Sequence, residues 1–187
     1  MSGRLVYCMG PSGAGKDSLL DWLRHHLPAA HAPHWARRTI NRTAAPGGEA
    51  HESVDAAAFQ QLRAQQAFAL HWEANGLHYG VRHTELAPLS QRRWVVVNGS
   101  RAYLPQALQS HPNLVAVHVT ASPDVLRQRL TARGRESAAQ IEARVRRAAD
   151  YQPPPHAAAV EVHNDGALDD AGRALMKALQ QLPGWPR

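Results

Sequence analysis

Cysteine is nearly absent from this chain. Cys8 is the single one in 187 residues, which excludes a disulfide framework within the chain. It lies in an apolar run, where a small buried filler is expected. No run of about 18 apolar residues occurs, so no membrane-spanning helix is expected. The apolar stretch 5–9 is too short for the core of a secretion signal and runs straight into a glycine-rich motif. A cytoplasmic location and no membrane partner are the expectation. Internal repeats and long linkers are also lacking. The twelve histidines include no pair at zinc-type spacing with a cysteine or carboxylate on one helix face, and they read as scattered surface residues.

Lysine is the other scarcity. Lys16 and Lys177 are the only two, and every other fixed cation is arginine. The net charge is +6 and the isoelectric point about 10.2. A solvated basic surface, an anionic ligand and a nucleic acid are all compatible with that balance. Arginine adds bidentate phosphate contacts, although a GC-rich gene also enriches it without structural reason. With 44% hydrophobic and 19% charged residues, the chain is ordinary enough to build a core, and its length suits one α/β domain.

Short apolar runs alternate with helical patterns. Strands are expected over 4–9, 94–98, 114–120 and 157–162, the middle two rich in valine. Helices are expected over 16–27, 55–66, 123–133, 141–151 and 168–182. Ser122 and Gly134 bracket the third of these, and Ser137 with Gln140 fits a capping box. Continuous apolar strands between helices predict a parallel sheet covered on both faces. Residues 35–85 and 121–137, rich in Arg, Gly and His, fit the alternation poorly and suit mobile lobes over a site.

The segment that carries chemistry is Gly10-Pro11-Ser12-Gly13-Ala14-Gly15-Lys16-Asp17-Ser18. It has the G-x-x-x-x-G-K spacing between a strand and a helix, the setting this motif requires. Its glycines let backbone N–H groups turn inward around phosphate oxygens, and the helix N-terminus adds partial positive charge. Lys16 then reaches the β- and γ-phosphates of ATP. The usual Ser or Thr after the lysine, a Mg2+ ligand, is replaced by Asp17. A carboxylate is a good hard ligand, so Asp17 is a candidate for Mg2+, directly or through water. Its alternative role is to complement the helix dipole.

Gly-Pro-Ser-Gly-Ala-Gly-Lys followed by Asp-Ser-Leu-Leu resembles the guanylate-kinase-like branch of P-loop kinases. More closely, it resembles the ribose 1,5-bisphosphate phosphokinases of bacterial phosphonate breakdown, in which Asp commonly follows the lysine. Segments 71–80, 97–101, 126–136, 141–144 and 164–166 are similar to that family in the same order, nearly along the whole chain. The resemblance implies a P-loop three-layer α/β/α fold with a central parallel sheet. It implies a core of 1–34, 88–120 and 138–187, a substrate lobe of about 35–87 and a lid of about 121–137. The implied reaction is ATP plus ribose 1,5-bisphosphate giving ADP and 5-phosphoribosyl 1-diphosphate, with Mg2+ as cofactor. A small phosphorylated sugar is then the partner, not nucleic acid, and the enzyme a monomer or homodimer.

By that resemblance Arg133 and Arg144 join Lys16 as catalytic candidates. Arg38, Arg42, Tyr79, Asn98, Ser100 and Arg101 are the substrate-side candidates, and Asn164–Gly166 falls near the adenine. Anchoring on Tyr79-Gly80 puts Leu70 where guanylate kinases carry a base-reading Glu, and anchoring on Asn98 puts Ser100 at their second acid. The second arginine of their Thr-Thr-Arg-x-x-Arg motif falls on Ala45, while Arg37 and Arg38 precede the first, Arg42. A phosphate-gripping cluster without a base reader suits a phosphorylated sugar. The competing readings are a guanylate or other nucleoside-monophosphate kinase and, outside enzymes, a basic P-loop module on nucleic acid. The latter would need aromatics interleaved with its cations, and Arg127, Arg129, Arg133, Arg135, Arg144 and Arg147 run without one before Tyr151.

Overall fold

The computed structural model describes residues 3–42, 50–134, 136–156 and 158–186. The first strand, β1 (Leu5–Met9), is buried along its whole length and leads through the glycine-rich turn into α1 (Lys16–His26). Then come β2 (His34–Trp35), β3 (Arg38–Ile40), β4 (Glu52–Ser53), α2 (Ala56–Ala64), β5 (Phe68–Ala74), β6 (Leu77–Arg82) and α3 (His83–Leu86). The chain continues through β7 (Val95–Asn98), α4 (Leu104–Ser110) and β8 (Val115–Thr120). It ends with α5 (Pro123–Arg133), α6 (Ala138–Ala149), β9 (Ala159–His163) and α7 (Leu168–Gln180).

The strands form two sheets. The larger has the order β2-β7-β1-β8-β9, and every neighbouring pair in it is parallel. Side chains alternate between the faces of β1, as strand geometry requires. Val6 and Cys8 join one core with Leu19 and Leu23 of α1, Leu126 and Leu130 of α5, Ile141 of α6 and Leu175 of α7. Leu5, Tyr7 and Met9 join the other, with Leu104 and Ala107 of α4 and the inner face of the second sheet. Burying both faces is why β1 and β7 read as continuous apolar runs.

The second sheet, β4-β3-β6-β5, is mixed. It forms where the sequence suggested only poor alternation. Phe68, Leu70 and Trp72 are buried while Ala69 and His71 are less so, a period-two pattern hidden by its single histidine. Asn75 and Gly76 make the two-residue hairpin turn, both with positive φ. Glu52 ties three strands together: Arg82 donates to both its oxygens at 2.7 and 2.8 Å, and Thr39 Oγ1 donates at 2.7 Å.

Helix ends follow the expected signals. Asp55 caps α2, Ser122 caps α5, and Ser137 with Gln140 closes a capping box. Because Gln140 is the third helical residue after the Ser137 cap, α6 begins at Ala138 rather than at the expected Ile141, and Tyr151 lies beyond its end. The last strand begins at Ala159; Ala157 lies outside the described residues, as do Ala45 and Arg135.

Helices α1 and α7 pack closely because Gly172 lets Trp22 lie on the α7 backbone. A Cβ at position 172 would stand 2.3 Å from the indole, whose Nε1 donates to Asp169 at 2.7 Å. Alanine ordinarily gains about 1 kcal/mol over glycine in a helix. Here overpacking reverses the sign: Gly172→Ala is expected to lower unfolding free energy by about 1–3 kcal/mol in a urea titration with unchanged slope. A stabilised variant would refute this packing.

Candidate active site

The turn between β1 and α1 is held from outside. Asn164, which follows β9, is 3% exposed, and its Nδ2 donates to the Ala14 carbonyl at 2.8 Å. Gly15 has φ +81, and a Cβ there would lie 2.4 Å from Asn164 Nδ2. Gly15 is also the N-cap of α1, with no side-chain cap. The first N–H groups of the helix are thereby left for an anion rather than used up internally.

Gly10, Pro11, Ser12, Gly13, Gly15, Lys16, Asp17 and Ser18 all border one cleft of about 600 Å³. Ala14 does not; its side chain is fully buried. Lys16 is half-buried, and desolvation lowers its pKa despite the upward pull of Asp17. Cys8 behind it is inert filler, its thiol pushed up to about 12 by burial. Asp17 is exposed and accepts from Asn98 Nδ2 at 2.6 Å. Asn98 comes from the C-terminal end of β7, an edge where open parallel sheets place ligands.

Cations surround the opening. Arg38, Arg42, Arg101, Arg133, Arg144 and Arg147 all line it, and Asp17 and Glu73 are the only carboxylates among the described lining residues. Arg144 donates from Nη1 to Ser12 Oγ at 3.0 Å and pairs through Nη2 with Glu136 at 2.8 Å. Arg129 reaches the Gly13 carbonyl at 3.4 Å. Arg127 is turned away, bonded to Asp124 and Glu142. Arg38 stacks over Tyr79, 5.1 Å from its centroid, and Tyr79 stacks on Trp72, so this tyrosine borders the cleft as part of an aromatic cluster. Arg101 lies 4.8 Å over the Tyr151 ring; its Nη1 is buried with no hydrogen-bond partner.

Ser100 also borders the cleft. Its backbone is clamped by Tyr7, whose hydroxyl donates to Ser100 O at 3.0 Å and accepts from Ser100 N at 2.9 Å. Burial pushes the Tyr7 phenol well above its usual range, which keeps it a neutral clamp. Leu70 is 1% exposed in the core under the small sheet and offers no polar atom. Sequence reasoning missed Tyr7, Trp72, Glu73, Tyr151 and the side chain of Asn164. The three-residue spacing of Arg144 and Arg147 puts both on one helix face, and both line the cleft. For Asn164 no signal existed, since the contact spans 150 positions.

No protein-family model matches the chain. A Pseudomonas paraeruginosa protein named ribose 1,5-bisphosphate phosphokinase PhnN is 47% identical over 94% of this chain and 95% of its own length. The chain belongs to the ribose 1,5-bisphosphate phosphokinase family. The phosphokinase of Burkholderia pseudomallei is 44% identical over 96% of both chains. That of Janthinobacterium is 45% identical, but this chain spans only 40% of its length. Among solved structures, guanylate kinase from Anaplasma phagocytophilum superposes with TM-score 0.64 at 16% identity, over 99% of this chain and 90% of that one. A sugar kinase from Janibacter gives 0.54 at 14%. The chain thus shares the P-loop α/β/α fold of the guanylate kinase.

Asn164→Ala is expected to cost the chain about 1–3 kcal/mol, the range for losing a buried hydrogen bond. Amides 12–15 should exchange faster with solvent while those of β1 do not. Unchanged exchange in the loop would show that Asn164 does not hold it.

Proposed function

We propose that the chain transfers the γ-phosphoryl group of ATP to ribose 1,5-bisphosphate, releasing ADP and 5-phosphoribosyl 1-diphosphate. One observation carries this reading: the P-loop with Lys16 and the guanidinium groups of Arg38, Arg42 and Arg101 border one cleft of small-molecule size, about 600 Å³. The unbonded buried Nη1 of Arg101 is costly unless an anion arrives. Glu73 provides an acceptor for sugar hydroxyls. Neither Leu70 nor Ser100 provides the buried carboxylate that a guanine edge calls for. Convergence on one concave cleft favours a small ligand over nucleic acid.

In the reaction an oxygen of the acceptor's 1-phosphate forms the new P–O bond as the bond from the γ-phosphorus to the β–γ bridging oxygen breaks. ADP leaves with the electron pair. Phosphate monoesters have a second pKa near about 6, so the acceptor is already ionised and no side chain has to take a proton. Backbone N–H groups of the P-loop and Lys16 hold the polyphosphate. Arg133 and Arg144 neutralise charge as it shifts. Bound Mg2+ supplies electrostatic neutralisation of the phosphates, and Asp17 is the carboxylate that fits it. Closure of the segments near 35–87 and 121–137 excludes water, which otherwise competes as acceptor. The product places the enzyme in phosphonate use and in 5-phosphoribosyl 1-diphosphate supply.

A coupled ADP-release assay with Mg-ATP should show faster turnover with ribose 1,5-bisphosphate than with GMP, AMP or gluconate; preference for GMP would overturn the substrate. Arg101→Ala should lower kcat/KM for the sugar phosphate about 10–100-fold, the equivalent of one charge-assisted hydrogen bond. An unaltered value would remove Arg101 from the acceptor site. Burial depresses the Lys16 pKa, and a bound polyphosphate raises it again. ATP binding should therefore take up protons at pH values between the free and bound pKa, seen by calorimetry in buffers of different ionisation enthalpy. The uptake should vanish in Lys16→Met.

A further inference from the structure

In P-loop enzymes the residue after the lysine is commonly a hydroxyl and the nearby strand supplies a carboxylate, and both hold Mg2+. Here the two chemistries have exchanged places. The carboxylate, Asp17, follows Lys16 in the first turn of α1. The neutral residue, Asn98, ends β7, which pairs directly with β1 and sets Asn98 level with Cys8. Both border the cleft.

The exchange is coupled. Asn98 is 6% exposed and donates to Asp17 Oδ1 at 2.6 Å. An ionised aspartate at 98 would bring only acceptors to Asp17 and could not donate to it as the Asn98 amide does. A serine at 17 beside Asn98 would leave no carboxylate in the pair. The amide is therefore the partner that a carboxylate at 17 requires: it fixes one oxygen and leaves the exposed carboxylate free to bind with the other. We infer that Asp17 and Asn98 form one divalent-cation unit with the usual roles reversed, in which Asp17 is the ligand and Asn98 the positioning residue. This rests on the kinase reading above.

The test uses Mn2+ in place of Mg2+, titrated into the full chain saturated with a non-hydrolysable ATP analogue and followed by water-proton relaxation. Analogue binding is measured separately in EDTA. Asp17→Ser and Asn98→Ala are each expected to weaken Mn2+ binding in the ternary complex by at least about tenfold, as loss of a ligand or its orienting partner does. The metal-free analogue affinity of each variant sets the analogue concentration that saturates it, so the metal loss is read in a fully formed complex. The double variant Asp17→Ser/Asn98→Asp, which restores the common arrangement, should recover most of the lost affinity. A double variant no tighter than Asp17→Ser overturns the reversed-role unit. Should that variant fail to fold in a urea melt, Asp17→Asn decides: it removes the charge at constant shape, and undiminished Mn2+ binding overturns the inference. If the unaltered chain binds no analogue even in EDTA, the kinase reading itself falls and takes this inference with it. Analogue binding with metal affinity indifferent to both residues sinks only the inference.

Discussion

A helix begins at Lys16 without a capping side chain, and the rest of the site is arranged around that open end. Unbonded N–H groups and a desolvated ammonium are unfavourable in the free protein. They persist because packing fixes the turn: β1 is buried throughout, Leu19 and Leu23 anchor α1 in the core, and Asn164 grips the Ala14 carbonyl. A polyphosphate would meet donors that are already oriented, which lowers the cost of binding and of reaction.

The second constraint is the distribution of charge. Arginines of α5, α6 and β3, with Arg42 and Arg101, line one cleft. Several are held by neighbours before any ligand arrives: Arg144 by Ser12 and Glu136, and Arg38 and Arg101 over aromatic rings. A guanidinium stacked on a ring keeps its fork of donors directed while losing little freedom on binding. Substitution of lysine at such positions would keep charge but not direction.

Legibility in the sequence followed distance along the chain. The P-loop, the Ser122 and Gly134 boundaries and the Ser137–Gln140 capping box could be read because each is a pattern within a few residues, closed by local hydrogen bonds. The small sheet was not legible. Its strands β3 and β4 run two or three residues, too short for periodicity, and β5 hides its alternation behind His71. Leu70 could be recognised as a residue unable to read a base, but not as a core residue beneath the small sheet. Tyr7 and Ser100 are 93 positions apart, and only the parallel pairing of β1 with β7 brings them together.

The amino-acid order alone determined that a strand, a phosphate-binding turn and a helix follow one another, because the φ preferences of glycine, the apolar run and the amphipathic spacing all act over one or two turns of chain. Tertiary structure alone decided which side chains hold that turn and what faces it. Asn98 meets Asp17, Asn164 meets Ala14, and arginines from four separate segments share one cleft. These are contacts between elements far apart in sequence, set by strand order and by burial of both sheet faces, and no local propensity encodes them.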